Sequence, residues 1–528
     1  MKKVSDTRID FLGVVPEFEY GGRSFNAQTI AALSALLTFK GKSIQELYQE
    51  TVDKEQDLDA KVTKILQKSS LRGHASVATT PVISLSFQGT KFLDALLTPL
   101  VFASGLMASG RRTGTTVEDI VTPTTIAADP EAARIYQEAS VHLIEYLNQL
   151  VESGIRKDEA SKISQYGIVG TGIVSLSVES IVALFREYER EKEWMPEDAG
   201  FFLDQVKAHA EEMGIDILYA TRCAAPKDVY PFPNIFKDPK HPNLARDLRL
   251  QHRNRPQSVL LGCEVETAPS FLEQMRELGE TRDQLVKDQV SVRDGWYAFL
   301  AQREQICRDF GTAVRVRMLS SPSWRVWGEK KRHRTVPMVC DSLYFAIGEA
   351  AAVFRRRETG AGIDDSFLAE VEEWFSVPPA VKASTELTSS WIDAAAQAFA
   401  AYDALLARGI APRDALYVIP RGVRLDVVQD YNLYNLISGY YPLRLCTTAE
   451  EQMQKMTLQE AHLIRQALEE RGARVVGEHM VPKCHVVGFC PEEKLCGKIY
   501  QMIPWYDDAF HAAMKDDLDA KWKKNHTA

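Results

Sequence analysis

Five basic or potentially basic side chains stand in a row at Lys330, Lys331, Arg332, His333 and Arg334, and Thr335 and Pro337 follow at once. Proline suits the first position of a helix and threonine can cap one. The spacing therefore predicts a helix over 337–356, with two arginines and a histidine crowding its N-terminus. Unpaired backbone N–H groups and the positive end of the helix dipole favour an anion there, and guanidinium forks match phosphate oxygens in pairs. The chemistry indicated is a cradle for phosphate or pyrophosphate. The plainer alternative is a solvated basic loop that pairs with local carboxylates.

A second constellation, Cys484, His485, Cys490 and Cys496, follows His479, with Cys446 further upstream. Thiolates and imidazoles could supply a tetrahedral zinc site, although these spacings exceed the usual knuckle; the alternative is buried thiols packing a C-terminal turn. The glycines of YGIVGTGIVS, 166–175, run G-x-x-G-x-G with no strand pattern ahead of them, so a dinucleotide loop is set aside and Gly167 is read as a turn between helices. Trp324, Trp327, Tyr440 and Tyr441 could stack on a flat ring, but aromatics so spaced also build cores. The two tryptophans are favoured for function only because they sit just before the basic run.

The elements that must position these groups are mostly helical. Apolar periodicity predicts helices over 27–37, 132–152, 178–190, 271–303, 337–356, 391–407 and 458–470, and strands over 81–87, 258–266 and 312–319. The chain is a mixed α/β protein of the α+β type. Its 528 residues, 45% hydrophobic, can bury a large core in several domains. A net charge of −9 argues against a broad grip on nucleic acid or an anionic membrane, so basic clusters serve local anions. No apolar leader pattern opens the sequence, and a cytoplasmic location is expected. The most membrane-like run, 92–110, contains Asp94 and Pro99 and reads as a buried helix. Eight cysteines in this length are no disulfide framework. Six prolines among many charges mark 223–256 as a connector without an element of its own.

The halves on either side of it echo each other. GRRTGTTVEDIV can be laid on RHRTVPMVCDSLY, with Arg112 on Arg334, Thr113 on Thr335 and Asp119 on Asp341. GIRKDEASKISQYGIV can be laid on GIAPRDALYVIPRGV, with Gly154 on Gly409 and Gly167 on Gly422. Two matched blocks in one order suggest a duplication, with an insertion in the second copy.

RHRT ahead of Ser342 resembles the Arg-His-Arg signature of the flavin-dependent thymidylate synthases. LRGHASVATTPVISLSF is similar to the same family's Gly-His-x-Ser segment, with Gly73, His74 and Ser76 in register. YNLYNLISGYYPLRLCTTAEEQM resembles its asparagine-bearing helix and its Leu-Arg, with Arg444 in the arginine's place and Ala449 at the following alanine. The resemblance implies two tandem copies with antiparallel or mixed sheets flanked by long helices: 1–222 degenerate, 223–257 a connector, and 258–528 carrying the signature.

It further implies that FAD is held by Arg332, His333, Arg334 and Thr335, with Asn432 or Asn435 near the flavin and His74 and Ser76 contributing. Arg444 would act in catalysis, and Arg444, Ser342, Tyr344 and Glu329 would face the nucleotide. The implied reaction is reductive methylation of dUMP to dTMP, with NADPH and methylenetetrahydrofolate as co-substrates, in a homo-oligomer, a dimer forming a pseudo-tetramer. Several positions depart from the family pattern: Arg111 and Arg112 alone echo the signature in the first half, Tyr344 stands near a phosphate-binding arginine's place, Leu416 at an arginine's and Glu329 at a glutamine's. These departures leave open a methylase of another pyrimidine nucleotide, or a non-catalytic flavin- or nucleotide-binding scaffold.

Overall fold

The computed structural model describes residues 2–54, 56–108, 114–252, 257–289, 296–357, 362–493 and 495–526. The chain forms two compact units, the first from Met1–Pro242, Ser323–Arg332 and Ser342–Leu425, the second from Asn243–Pro322, His333–Asp341 and Asp426–Ala528. The units interleave along the chain, so neither coincides with one expected copy. Among the described residues, no helix is long and apolar enough to cross a membrane.

The first unit holds an antiparallel sheet in the order Arg8–Val15, Val82–Thr90, Val169–Ser177, Ala103–Met107. Ile83, Leu85 and Phe87 alternate into the core on one face of its second strand. The stretch read as one buried helix over 92–110 is instead helix Lys91–Leu97, capped by the Thr90 hydroxyl, followed by strand Ala103–Met107. Pro99 cannot continue the helix. The glycine-rich stretch after Gly167 is the strand Val169–Ser177, and Gly167 leads into a strand rather than a second helix. At Gly172 a side chain would meet Met107 and, at 3.1 Å, the Leu106 carbonyl, so glycine there serves strand packing.

The second unit repeats that sheet order with Ser258–Val265, Val314–Ser320, Val427–Asn432 and Met338–Cys340. The helix expected from Pro337 starts only at Leu343. Pro337 heads the short edge strand, where a missing N–H costs no ladder bond, and its carbonyl accepts from Asp430 at 3.0 Å. The basic run therefore lies in a turn between helix Trp324–Lys330 and an edge strand, and the helix-terminal cradle is corrected to a loop. Of the helix expected over 271–303, the described residues form Pro269–Lys287 and Tyr297–Asp309, and 290–295 lie outside them.

The segment read as a connector carries helix Leu244–Gln251, capped by Asn243. Arg246 and Arg249 stand three apart and share a face. Arg246 grips the buried Asp341 carboxylate at 2.6 and 3.1 Å, and the Asn243 amide adds a third bond at 2.7 Å. Arg249 lies 3.7 Å from Asp426, and the Asp341 N–H donates to the Asp426 carbonyl at 2.9 Å. One helix thus fixes the end of the strand that follows the basic turn. Its charge density hid it among the prolines.

The two sheets can be superposed by register alone. In each, the first strand bulges at the leucine of a Leu-Gly pair, Leu12 in one and Leu261 in the other. The following glycines face Ser84 and Arg317, an offset of 317 − 84 = 233. The third strands follow at 430 − 175 = 255, since Ser84 faces Ser175 and Arg317 faces Asp430. Carried to the edge strands, Val174 faces Gly105 and its counterpart Gln429 faces Met338, and 338 − 105 again gives 233. Helices Pro130–Glu152 and Thr385–Ala407 have matching ends at the offset of 255 and pack on each other, and Gln165 bridges its own counterpart, Pro420.

This register keeps the match of Gly154 with Gly409 but removes the other. The counterparts of Arg332, His333 and Arg334 are Pro99, Leu100 and Val101, eleven residues before Arg111 and Arg112 would require. Arg111, Arg112 and Thr113 themselves lie outside the described residues.

Removing the Asp341 carboxylate would strand a mostly buried guanidinium. Asp341→Ala is expected to lower unfolding stability by about 3 kcal/mol in urea denaturation, with a smaller loss for Asp341→Asn, which keeps an acceptor.

Candidate functional site in the basic turn

Within the second unit three distant segments meet. The Arg444 Nε–H donates to His333 Nε2 at 2.8 Å, and the Tyr440 ring stands edge-on to that imidazole at 4.7 Å. The Thr335 hydroxyl accepts from the Asn435 amide at 3.1 Å. Asn432 and Asn435 exchange side-chain and backbone bonds at 3.1 Å each, opening a wide turn at Asn435–Gly439 closed by the Tyr440 N–H on the Asn435 carbonyl. Such five-residue turns break helical regularity and recur at functional sites. His333, Thr335, Asn432, Asn435 and Arg444 are therefore brought together. The Arg334 and Thr335 side chains are exposed at the turn.

Within the first unit Arg332 pairs with Asp94 at 3.0 Å, and Lys331 lies 3.3 Å from the same carboxylate and over the Trp327 ring. Burial raises the Asp94 pKa, but Lys331 and Arg332, with the Thr98 hydroxyl, outweigh it and hold the carboxyl below its usual range. Sequence reasoning missed Asp94, although a lone carboxylate in an apolar run signals a buried charge in need of a partner. Glu329 lies 3.4 Å from Arg325 one helical turn back. Ser342 and Tyr344 are buried and bonded to backbone: the Ser342 hydroxyl donates to the Lys237 carbonyl at 2.6 Å and the Tyr344 hydroxyl to that of Trp194. Trp324 and Trp327 are fully buried, with Trp324 stacked on Tyr166, and serve the core.

His74 and Ser76 line a cavity of about 740 Å³ in the first unit, floored by Ala31, Ala35, Leu36 and Val77 and edged by Lys68 and Arg72. Their side chains are exposed there.

The zinc expectation is corrected. Among the described residues no three His, Cys, Asp or Glu side chains are grouped to hold a metal. Burial pushes the Cys484 thiol up to about 12, which keeps it protonated, and the His485 ring donates from Nε2 to the Lys498 carbonyl at 2.6 Å. Cys490 is buried and Cys496 exposed. The His479 ring N–H is likewise spent on the Met275 carbonyl at 2.8 Å.

With that geometry in hand, residues 318–469 match the family model described as thymidylate synthase complementing protein. The flavin-dependent thymidylate synthase of Pyrococcus abyssi (strain GE5 / Orsay) is 32% identical over 125 residues, 24% of this chain and 50% of that protein. Through this segment the chain is similar to the flavin-dependent thymidylate synthases. The enzyme of the same description from Pyrococcus furiosus is 28% identical over 131 residues, again 24% and 50%. The chain spans about half the length of the curated relatives it matches. A UMP/dUMP methylase, PolB from Streptomyces cacaoi bound with 5-Br dUMP, covers 44% of this chain over all of its own at 10% identity and a TM-score of 0.34, a likeness too weak to argue from. The family segment holds Arg332 to Thr335, Asn432, Asn435 and Arg444, whereas His74 and Ser76 lie outside it.

The Asp94 cluster has a pH signature. A carboxyl whose folded pKa lies below its unfolded value stabilises the fold above about pH 4, and that contribution fades as pH falls further. Asp94→Asn is expected to lose about 1 kcal/mol at pH 7 and to narrow its deficit from wild type toward pH 3, read from urea denaturation at both pH values.

Proposed function

We propose that the protein is an FAD-dependent thymidylate synthase that methylates dUMP to dTMP with methylenetetrahydrofolate and NADPH. The observation that carries the reading is the hydrogen bond of Arg444 to His333, which joins the signature turn to the Leu-Arg segment across more than a hundred residues of sequence. The match of residues 318–469 to the family model supports it.

The residues suit the cofactor. Arg334 and Thr335 lie exposed on the turn where a pyrophosphate would be met, and Arg332, paired with Asp94, stands beside them in the chain. The flavin, when bound and reduced by NADPH, supplies the reducing equivalents that turn the transferred one-carbon unit into a methyl group. His333, fixed by Arg444 and Tyr440, and Asn435, fixed by Thr335, would orient the ring system with little motion left to lose. Arg444 would meet the nucleotide phosphate. His74 and Ser76 would contribute cofactor contacts from their own cavity in the first unit. The chain would be a duplicated synthase whose matched bulges and strand offsets support a common origin, working as a homo-oligomer.

A second reading has its own support. Ser342 and Tyr344 are spent on backbone carbonyls, so recognition of the nucleotide differs from the signature's pattern, and another pyrimidine nucleotide is the alternative substrate.

The purified protein is expected to be yellow, and its reduced form to reoxidise anaerobically only when dUMP and methylenetetrahydrofolate are both present. Reoxidation with UMP but not dUMP would select the second reading; a colourless protein that takes up no FAD would overturn both. Arg334→Ala should bind FAD at least about tenfold more weakly, measured by fluorescence titration.

A further inference from the structure

A smaller cavity of about 240 Å³ lies in the first unit, and none of the residues assigned above lines it. Its lining includes Lys91, Lys157 and Arg421, with Thr115, Ser161 and one carboxylate, Glu152. Arg421 is buried, and its guanidinium donates to the carbonyl and hydroxyl of Ser164, both uncharged. Among the described residues none of the three cations has a carboxylate partner, in a protein with a net charge of −9 and many acids to spare. Mutual repulsion in a partly buried site is costly unless something negative joins it. Burial, with Arg421 and Arg325 beside it, pushes Lys91 down to about 7; Asp94 and Asp119 act in the opposite sense.

We propose that this cavity is a binding site for a phosphate-class oxyanion, held by Lys91, Arg421 and Lys157. Its volume admits inorganic phosphate or the phosphate end of a small phosphomonoester, but not a dinucleotide. The counterparts of Lys91 and Arg421 in the repeated register, Trp324 and Tyr166, are a stacked aromatic pair, so the site exists once in the chain. It does not depend on the flavin reading.

The test uses the full-length protein and inorganic phosphate, with chloride at matched ionic strength as control. Saturable binding by calorimetry and a phosphate-dependent rise in Tm are expected. Lys91→Met should weaken binding by about tenfold or more, and Lys157→Ala, at an exposed position that leaves the fold alone, by less. Without phosphate, Lys91→Met should melt higher than wild type, because the native state no longer holds a lysine whose protonation favours the unfolded chain at neutral pH. Ribose 5-phosphate in a parallel titration separates the sources: tighter binding than phosphate marks a phosphomonoester site, equal or weaker binding a site for the free ion. No binding above the chloride control, or unchanged binding in both variants, would overturn the proposal.

Discussion

Asp341 ends the short strand that follows the basic turn, and its carboxylate is out of water with three hydrogen bonds from helix Leu244–Gln251 and its cap. Everything proposed for the turn rests on that grip. A run of five basic side chains repels itself, so it needs partners within the run, which Asp94 gives to Lys331 and Arg332, and an anchor for the strand that follows. On the far side, the strand Met338–Cys340 is zipped to Val427–Asn432, and that strand runs directly into the Asn432 and Asn435 turn. The ladder therefore sets the register between the basic turn and the asparagines, and the Arg246 fork stops it from sliding.

The matched sheets give the chain an internal ruler. The bulge at a Leu-Gly pair and the two constant offsets relate its halves residue by residue, and the ruler shows what the halves do not share. The second has Arg332, His333 and Arg334 where the first has Pro99, Leu100 and Val101. At the same offset, the first has His74 and Ser76 where the second has Cys307 and Asp309. Each half keeps a motif the other lacks.

The segments that hold His333, Thr335, Asn435 and Arg444 were legible in the sequence because signature residues stand out by type and spacing, and the structure brings these side chains together. What was not legible depended on partners far away. Pro337 reads locally as a helix start, and only the strand Val427–Asn432 makes it an edge-strand residue. Arg111 and Arg112 read as an echo because short basic runs are common, and only ladder register could reject them. Asp94 and Arg246 acquire meaning from cations or carboxylates that lie about a hundred residues or more away. The strands Val169–Ser177 and Val427–Asn432 escaped because glycines in one and polar Gln429, Asp430 and Asn432 in the other blur the alternation.

The central claim is that one half alone carries a flavin signature. The amount of flavin released per denatured chain tests it most directly, with absorbance of free FAD set against protein concentration by amino-acid analysis. One FAD per chain is the predicted result. Two per chain would contradict the absence of the signature from the first half, and none would rule out a flavin protein altogether.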